Sequence, residues 1–254
     1  MKYLVVLLFI TFSVTVSATK PPSISISKQQ QQIISDIFDM QVKYQINNNI
    51  AVERSVCALL QNYPEQIDAV LKVAISKYPQ EYKQIMRGAL RAEPALSSDI
   101  VEIIINSNIA DSSQVVGLAV TEEPAYANEI VSTAVLQKPD DIENIVRVAI
   151  LTEPVIAKNV IDNTMRSYPG KLLDILTVAI KALPSQLSNF VSDTIKLFPD
   201  NAEEVVSTAV STTNGERTRE IIATAIHSGI SEEQANAAAI AGGASSVDIA
   251  KIDH

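Results

Sequence analysis

Two histidines, one cysteine and four adjacent acid pairs are the side chains of this sequence that could do chemistry. His227 and His254 are the only histidines, and no pair of candidate ligands has metal-ligand spacing, so a zinc site is not expected. The sequence contains neither an Asp-x-Asp-x-Asp calcium loop nor a Gly-x-Ser-x-Gly nucleophile motif. Gly242-Gly243 is the only glycine pair, and it lacks the lysine–serine partner of a phosphate-binding loop. The pairs Glu122-Glu123, Asp140-Asp141, Glu203-Glu204 and Glu232-Glu233 could serve as general acid and base only if their carboxyls faced each other. Neighbours in sequence do not face each other on a helix, so these pairs read as solvated helix starts. Cys57 is the only cysteine, which rules out an internal disulfide. It reads as a half-buried free thiol, or as half of an intermolecular disulfide in an oxidising compartment. No catalytic, cofactor-binding or metal residue is assigned, no cofactor is expected, and the chain does not read as an enzyme.

What must position any surface here is a repeat. Nine of the eleven prolines, from Pro64 through Pro79, Pro94, Pro124, Pro139, Pro154, Pro169 and Pro184 to Pro199, share one phase of a fifteen-residue period. Counting from the proline, positions 7 and 8 are apolar in every copy between residues 64 and 213, from Val70-Leu71 to Val205-Val206. Position 12 is also apolar throughout. Position 11 is usually alanine, with Thr164, Thr194 and Ile104 as variants, and position 4 is mixed, with Ser97 and Ser112 among its occupants. Positions 4, 7, 8, 11 and 12 form one face of an α-helix. Proline suits the first helical position and pushes the preceding residue out of the α region. Each unit therefore predicts one helix of about twelve residues, roughly 18 Å long, followed by a loop of about three. The copy starting at Ile109 lacks proline but keeps the face. Helices this short are marginal alone in water, so stacking must stabilise them. The expected fold is all-α: an α-solenoid (α-α superhelix) of about twelve to fourteen short antiparallel helices, one per fifteen-residue proline-initiated repeat.

The flanks complete the domain plan. Residues 1–18 read as a signal peptide: Lys2, an apolar stretch from Tyr3 to Val16, and the small-residue cleavage site Val16-Ser17-Ala18. Residues 19–26 read as an extended leader. Residues 27–41 read as a degenerate first unit, capped by Ser27, with Ile33-Ile34 and Ile37-Phe38 on its apolar face. Residues 42–48 are extra sequence ending in an asparagine turn, and residues 49–63 form another unit around Val56, Leu59 and Leu60. After residue 213, Asn214-Gly215 marks a longer loop, and a last, alanine-faced unit covers about 230–241. The repeat domain thus spans 27–241. Gly242-Gly243 reads as a hinge, and residues 242–254 as a tail that either frays or docks on another copy.

A net charge of −9 argues against nucleic acid and anionic membranes as partners, since both need a basic footprint. Acids gather at helix starts and bases at helix ends, as the helix dipole favours. Arg166, Lys181 and Lys196 share position 13 of three successive units. They could line up as a basic ladder facing an anionic ligand, or simply complement helix C-termini. The pattern resembles α-solenoids in general, the class of HEAT and tetratricopeptide arrays, although a fifteen-residue single-helix unit fits neither of these. That resemblance implies binding through a concave surface. The chain is expected to be a secreted or periplasmic, non-catalytic scaffold for a protein or peptide partner, with no membrane span after signal cleavage. The alternative is a structural extracellular protein that self-associates through the ends of the stack.

Overall fold

The computed structural model describes residues 28–44 and 51–245, among which every regular element is helical. The expected signal peptide, leader, Ser27 cap, turn at 47–49 and tail from residue 246, His254 included, lie outside the described residues. The helices are α1 (Lys28–Tyr44), α2 (Ala51–Asn62), α3 (Ile67–Lys77), α4 (Tyr82–Ala92), α5 (Ser97–Asn106), α6 (Ser112–Glu122) and α7 (Ala127–Gln137). They continue with α8 (Ile142–Thr152), α9 (Ala157–Ser167), α10 (Leu172–Ala182), α11 (Leu187–Leu197), α12 (Ala202–Thr212), α13 (Thr218–His227) and α14 (Glu232–Ala241).

The prolines do not open the α-helices themselves. Each opens a three-residue 3-10 turn, such as Pro139–Asp141, and an α-helix of about eleven residues follows from position 4. The expected three-residue loop shrinks to one residue, position 15. Its backbone is nearly invariant in the nine pre-proline copies, with φ between −140° and −131° and ψ between 56° and 87°. Proline denies this residue the α region. Its N–H still donates to the position-11 carbonyl at 2.8–3.1 Å, and its own carbonyl accepts from the position-3 N–H at 2.9–3.2 Å. One residue thus closes a helix, opens the next turn and pairs both of its own backbone groups.

Where the proline is missing, before Ile109, the helix ends differently. Asn108 takes a left-handed φ of 53°, a usual way for asparagine to cap a helix C-terminus, and α5 stops a residue short at Asn106. The inserted loop after α12 turns at Asn214 (φ 51°) and Gly215 (φ 76°), in line with the sequence.

Helices two apart pack on each other, so odd- and even-numbered helices form two layers and sequence neighbours alternate between them. Side-chain hydrogen bonds between distant segments join helices two apart, or the turns beside them, across 29 to 42 residues. Between the layers, positions 7, 8, 11 and 12 are buried in every copy from residue 64 to 213. Position 4 is half-buried at Ile67 and Tyr82 and buried from Ser97 onward. Polar variants on this face are paired: Ser97 Oγ donates to the Pro94 carbonyl at 2.6 Å and Thr164 Oγ1 to the Val160 carbonyl at 2.7 Å.

Over most of the array the even layer is the more closely packed of the two. Glycines mark its tightest contacts. A Cβ on Gly88 in α4 would run into the Glu53 carbonyl of α2, and one on Gly117 in α6 would lie 2.9 Å from Val148 Cγ1 of α8. Gly242, expected as half of a hinge, instead packs against Ser207 and Val210 of α12. The first unit also departs from expectation. α1 runs on to Tyr44, and of its four expected face residues only Phe38 is fully buried, while Ile33 is exposed.

Replacing glycine by alanine inside a helix ordinarily gains about 0.5–1 kcal/mol. For Gly88→Ala the sign is expected to reverse, to a loss of about 1–3 kcal/mol, because backbone must move. Gly170→Ala, which meets nothing within 4 Å, should be neutral or slightly stabilising. Thermal melts of the two variants by circular dichroism check this; an unchanged melt for Gly88→Ala contradicts the close approach.

Candidate functional site

The odd layer is open between α3 and α5. A groove of about 580 Å³ runs there, floored by Ile67, Ile75 and Ile103 and rimmed by Asp68, Asp99 and Glu102, with Lys72 on the α3 side. Local sequence explains the opening. Ile103 sits at position 10 and is only half-buried, and α3 packs on α5 less extensively than α5 does on α7. At one end the groove reaches Asn106 and Ser107, where the repeat loses its proline. Lys72 Nζ is held by Asp68 at 2.8 Å on the α3 side of the rim. Exposed pairs of that kind contribute about 0–1 kcal/mol and leave both side chains free to rearrange.

A second, polar hollow lies beside the broken repeat, lined by the 108–114 segment with Lys138, Asp141 and Asn144. Its groups satisfy one another. Ser112 Oγ donates to Asp141, Asn144 Nδ2 donates to the other Asp141 oxygen at 2.7 Å, and Lys138 Nζ donates to Asn108 Oδ1 at 3.2 Å. Ser112 at position 4 is therefore a cross-helix clasp.

Cys57 is half-buried and forms no disulfide within the chain. It lies one turn from Glu53, whose buried carboxylate meets Arg91 Nη1 at 2.7 Å across the α2–α4 contact. Burial pushes the Cys57 thiol pKa up, the Arg91 charge pulls it back, and Glu53 adds to the rise. Such a thiol is a poor nucleophile near neutrality. Elsewhere Lys158 Nζ links α9 to α11 through Asp193 at 2.7 Å and also meets Asp162 at 3.0 Å. Those two carboxylates, Asp193 foremost, raise its pKa. A hydrogen bond from Ser188, and then Arg217, hold the Glu220 carboxyl below its ordinary range.

The basic trio does not share one face of the stack. Arg166 and Lys196 lie at the ends of α9 and α11 in the odd layer, whereas Lys181 ends α10 in the even layer. All three are exposed. Of the acid pairs, Glu122 binds Arg87 Nε at 2.9 Å between α6 and α4, and Glu203 accepts from Gln234 at 3.1 Å. His227 Nδ1 lies 2.6 Å from the Ala223 carbonyl one turn earlier. Among the described residues no group of three or more His, Cys, Asp and Glu could hold a metal ion, and no helix is long and apolar enough to cross a membrane. Sequence reasoning missed the α3–α5 groove. Its signal was the isoleucine at position 10 of a unit whose next helix lacks its proline. Comparison with family models, with curated proteins and with solved structures finds no match to this chain.

A raised pKa means less thiolate at any given pH, so alkylation of Cys57 by iodoacetamide should show a pH midpoint above the ~8.5 of a free cysteine. Arg91→Gln should move that midpoint further up. A midpoint at or below the free value contradicts the assignment.

Proposed function

We propose that this chain is an exported, non-catalytic helical-repeat scaffold whose α3–α5 groove receives a protein or peptide segment. The observation that carries the reading is the groove itself: an isoleucine floor beneath an acidic rim between two helices of the odd layer. An apolar floor accepts one or two aliphatic or aromatic anchors, and a rim of carboxylates favours lysine or arginine beside them. The segment that fits is therefore an apolar residue flanked by bases. The repeat supports the same use, because a stack of short helices can vary one groove without altering the core that holds it.

Selection of a random peptide library on the purified chain should enrich apolar anchors flanked by Lys or Arg. The double variant Asp99→Lys/Glu102→Lys changes only rim residues and should weaken the selected peptides by on the order of tenfold, ~1.4 kcal/mol. Peptides with no basic bias, or binding indifferent to the variant, would overturn the reading.

Export rests on the pattern of residues 1–18. Expressed in a secreting host, the chain should appear outside the cytoplasm with Thr19 as its first residue. Intact-mass spectrometry checks this, and an exported chain still beginning at Met1 contradicts cleavage after Ala18.

A further inference from the structure

Exposed apolar side chains inside the array follow the repeat. Leu136 and Leu151 hold position 13 and Val155 holds position 2, and both positions are exposed in every proline-led copy, whatever residue fills them. Two other exposures break the pattern. Ile33 of α1 stands at position 7, which is buried in all ten copies between residues 64 and 213, yet it is 52% exposed. Tyr63 is 53% exposed, whereas the other eight residues that precede a repeat proline are half-buried, charged Glu93, Lys138 and Glu153 among them. These two side chains line one apolar pocket of about 300 Å³, whose walls include Ile34, Ile37 and Leu59.

The next repeat shows where the cover comes from. Tyr78, which closes α3, is shielded by α1: its ring centroid lies 5.9 Å from that of Phe38. The residue that closes a helix is thus covered from two helices earlier. Tyr63 closes α2, so its cover falls to the chain that precedes α1. We infer that residues 19–27, which run up to Lys28 at the start of α1, fill this pocket, with Ile24 and Ile26 seated between Ile33 and Tyr63. Pattern, reach and charge name this occupant. Ser23 to Ser27 alternates serine and isoleucine, so an extended chain puts both isoleucines on one side. Ile33 lies five residues into α1, about 8 Å from its start, and the nine residues of the segment can span about 30 Å. The segment carries Lys20 and no acid, and Glu65 is the one charged residue lining the pocket. Residues 45–50 join the opposite end of α1, at Tyr44, to the start of α2. Burying two isoleucines with Ile33 and Tyr63 takes apolar surface out of water and closes the first edge of the stack. The pocket shares no residue with the α3–α5 groove, so this inference and the proposed function fail independently.

The test uses fluorescence on the chain as a secreting host releases it. The sequence has no tryptophan, so Ile24→Trp, Ile26→Trp and Ser25→Trp each introduce a single reporter. Acrylamide should quench the Ile24→Trp and Ile26→Trp variants several-fold less than Ser25→Trp, whose side chain falls on the opposite side. Adding Ile33→Asp, an exposed position whose change should leave the circular dichroism spectrum intact, should bring all three to the same quenching. Equal quenching of the three without Ile33→Asp overturns the inference, and so does protection that Ile33→Asp leaves unchanged. Light scattering after size exclusion should find the protected species monomeric. Protection that disappears as a larger species is diluted gives the pocket to a second copy and overturns the inference as well.

Discussion

The clash between a proline ring and the residue before it sets the geometry of this protein. It holds one residue per repeat outside the α region, and it does so at nine places within a range of about nine degrees in φ. Because that residue also caps both neighbouring segments, the turn needs no further residues and no side-chain cap. Successive helices are thereby forced into opposite layers, and stacking becomes a relation between helices two apart. Core, cross-helix bonds and groove all inherit that relation.

Close packing within the even layer is the second constraint. The glycines at 88, 117 and 242 let backbone meet backbone or a branched side chain where any Cβ would intrude. Buried Glu53 is tolerated at the tightest of these contacts because Arg91 reaches it from the facing helix. Removing one partner of such a pair is far costlier than the pair is beneficial. The odd layer lacks this glycine spacing and opens between α3 and α5, where Ile103 is left half-covered. The core is thus uniform while the surface is not.

The fold was legible in the sequence because each repeat states the same apolar face, and all ten copies between 64 and 213 bury it. Two details of the turn were not. Proline is equally at home opening an α-helix or a 3-10 turn, so the sequence could not tell which. The same ambiguity hid that the linker is one residue long. The polar residues at position 10 did not mark the layers: Thr133, Asn163 and Asp193 fall on odd helices, but Thr208 falls on even α12, and Val73 and Ile103 on odd α3 and α5 are apolar. A basic ladder at position 13 would need repeat position to be spatial position. With neighbours in opposite layers, only every second unit shares a side, which separates Lys181 from Arg166 and Lys196. The Arg87–Glu122 pair needed the reverse insight, that residues some 35 apart can touch. The groove depends on how far two helices separate, to which Ile103 at position 10 gives only an indirect sign.

Because helices two apart form each layer, the heritable unit of this architecture is a pair of repeats, although the unit visible in the sequence is a single one. Loss or duplication of thirty residues returns every downstream helix to its own side and keeps its cross-helix partners in register. Loss or duplication of fifteen changes the parity of all that follows. The core would survive, since every repeat between 64 and 213 buries the same four positions, 7, 8, 11 and 12. The surface would not: bases, acids and glycines suited to one layer would emerge on the other, and clasps such as Ser112 with Asp141 that spanned the altered repeat would lose their partners. Change in this chain's length is therefore neutral in even steps and disruptive in odd ones.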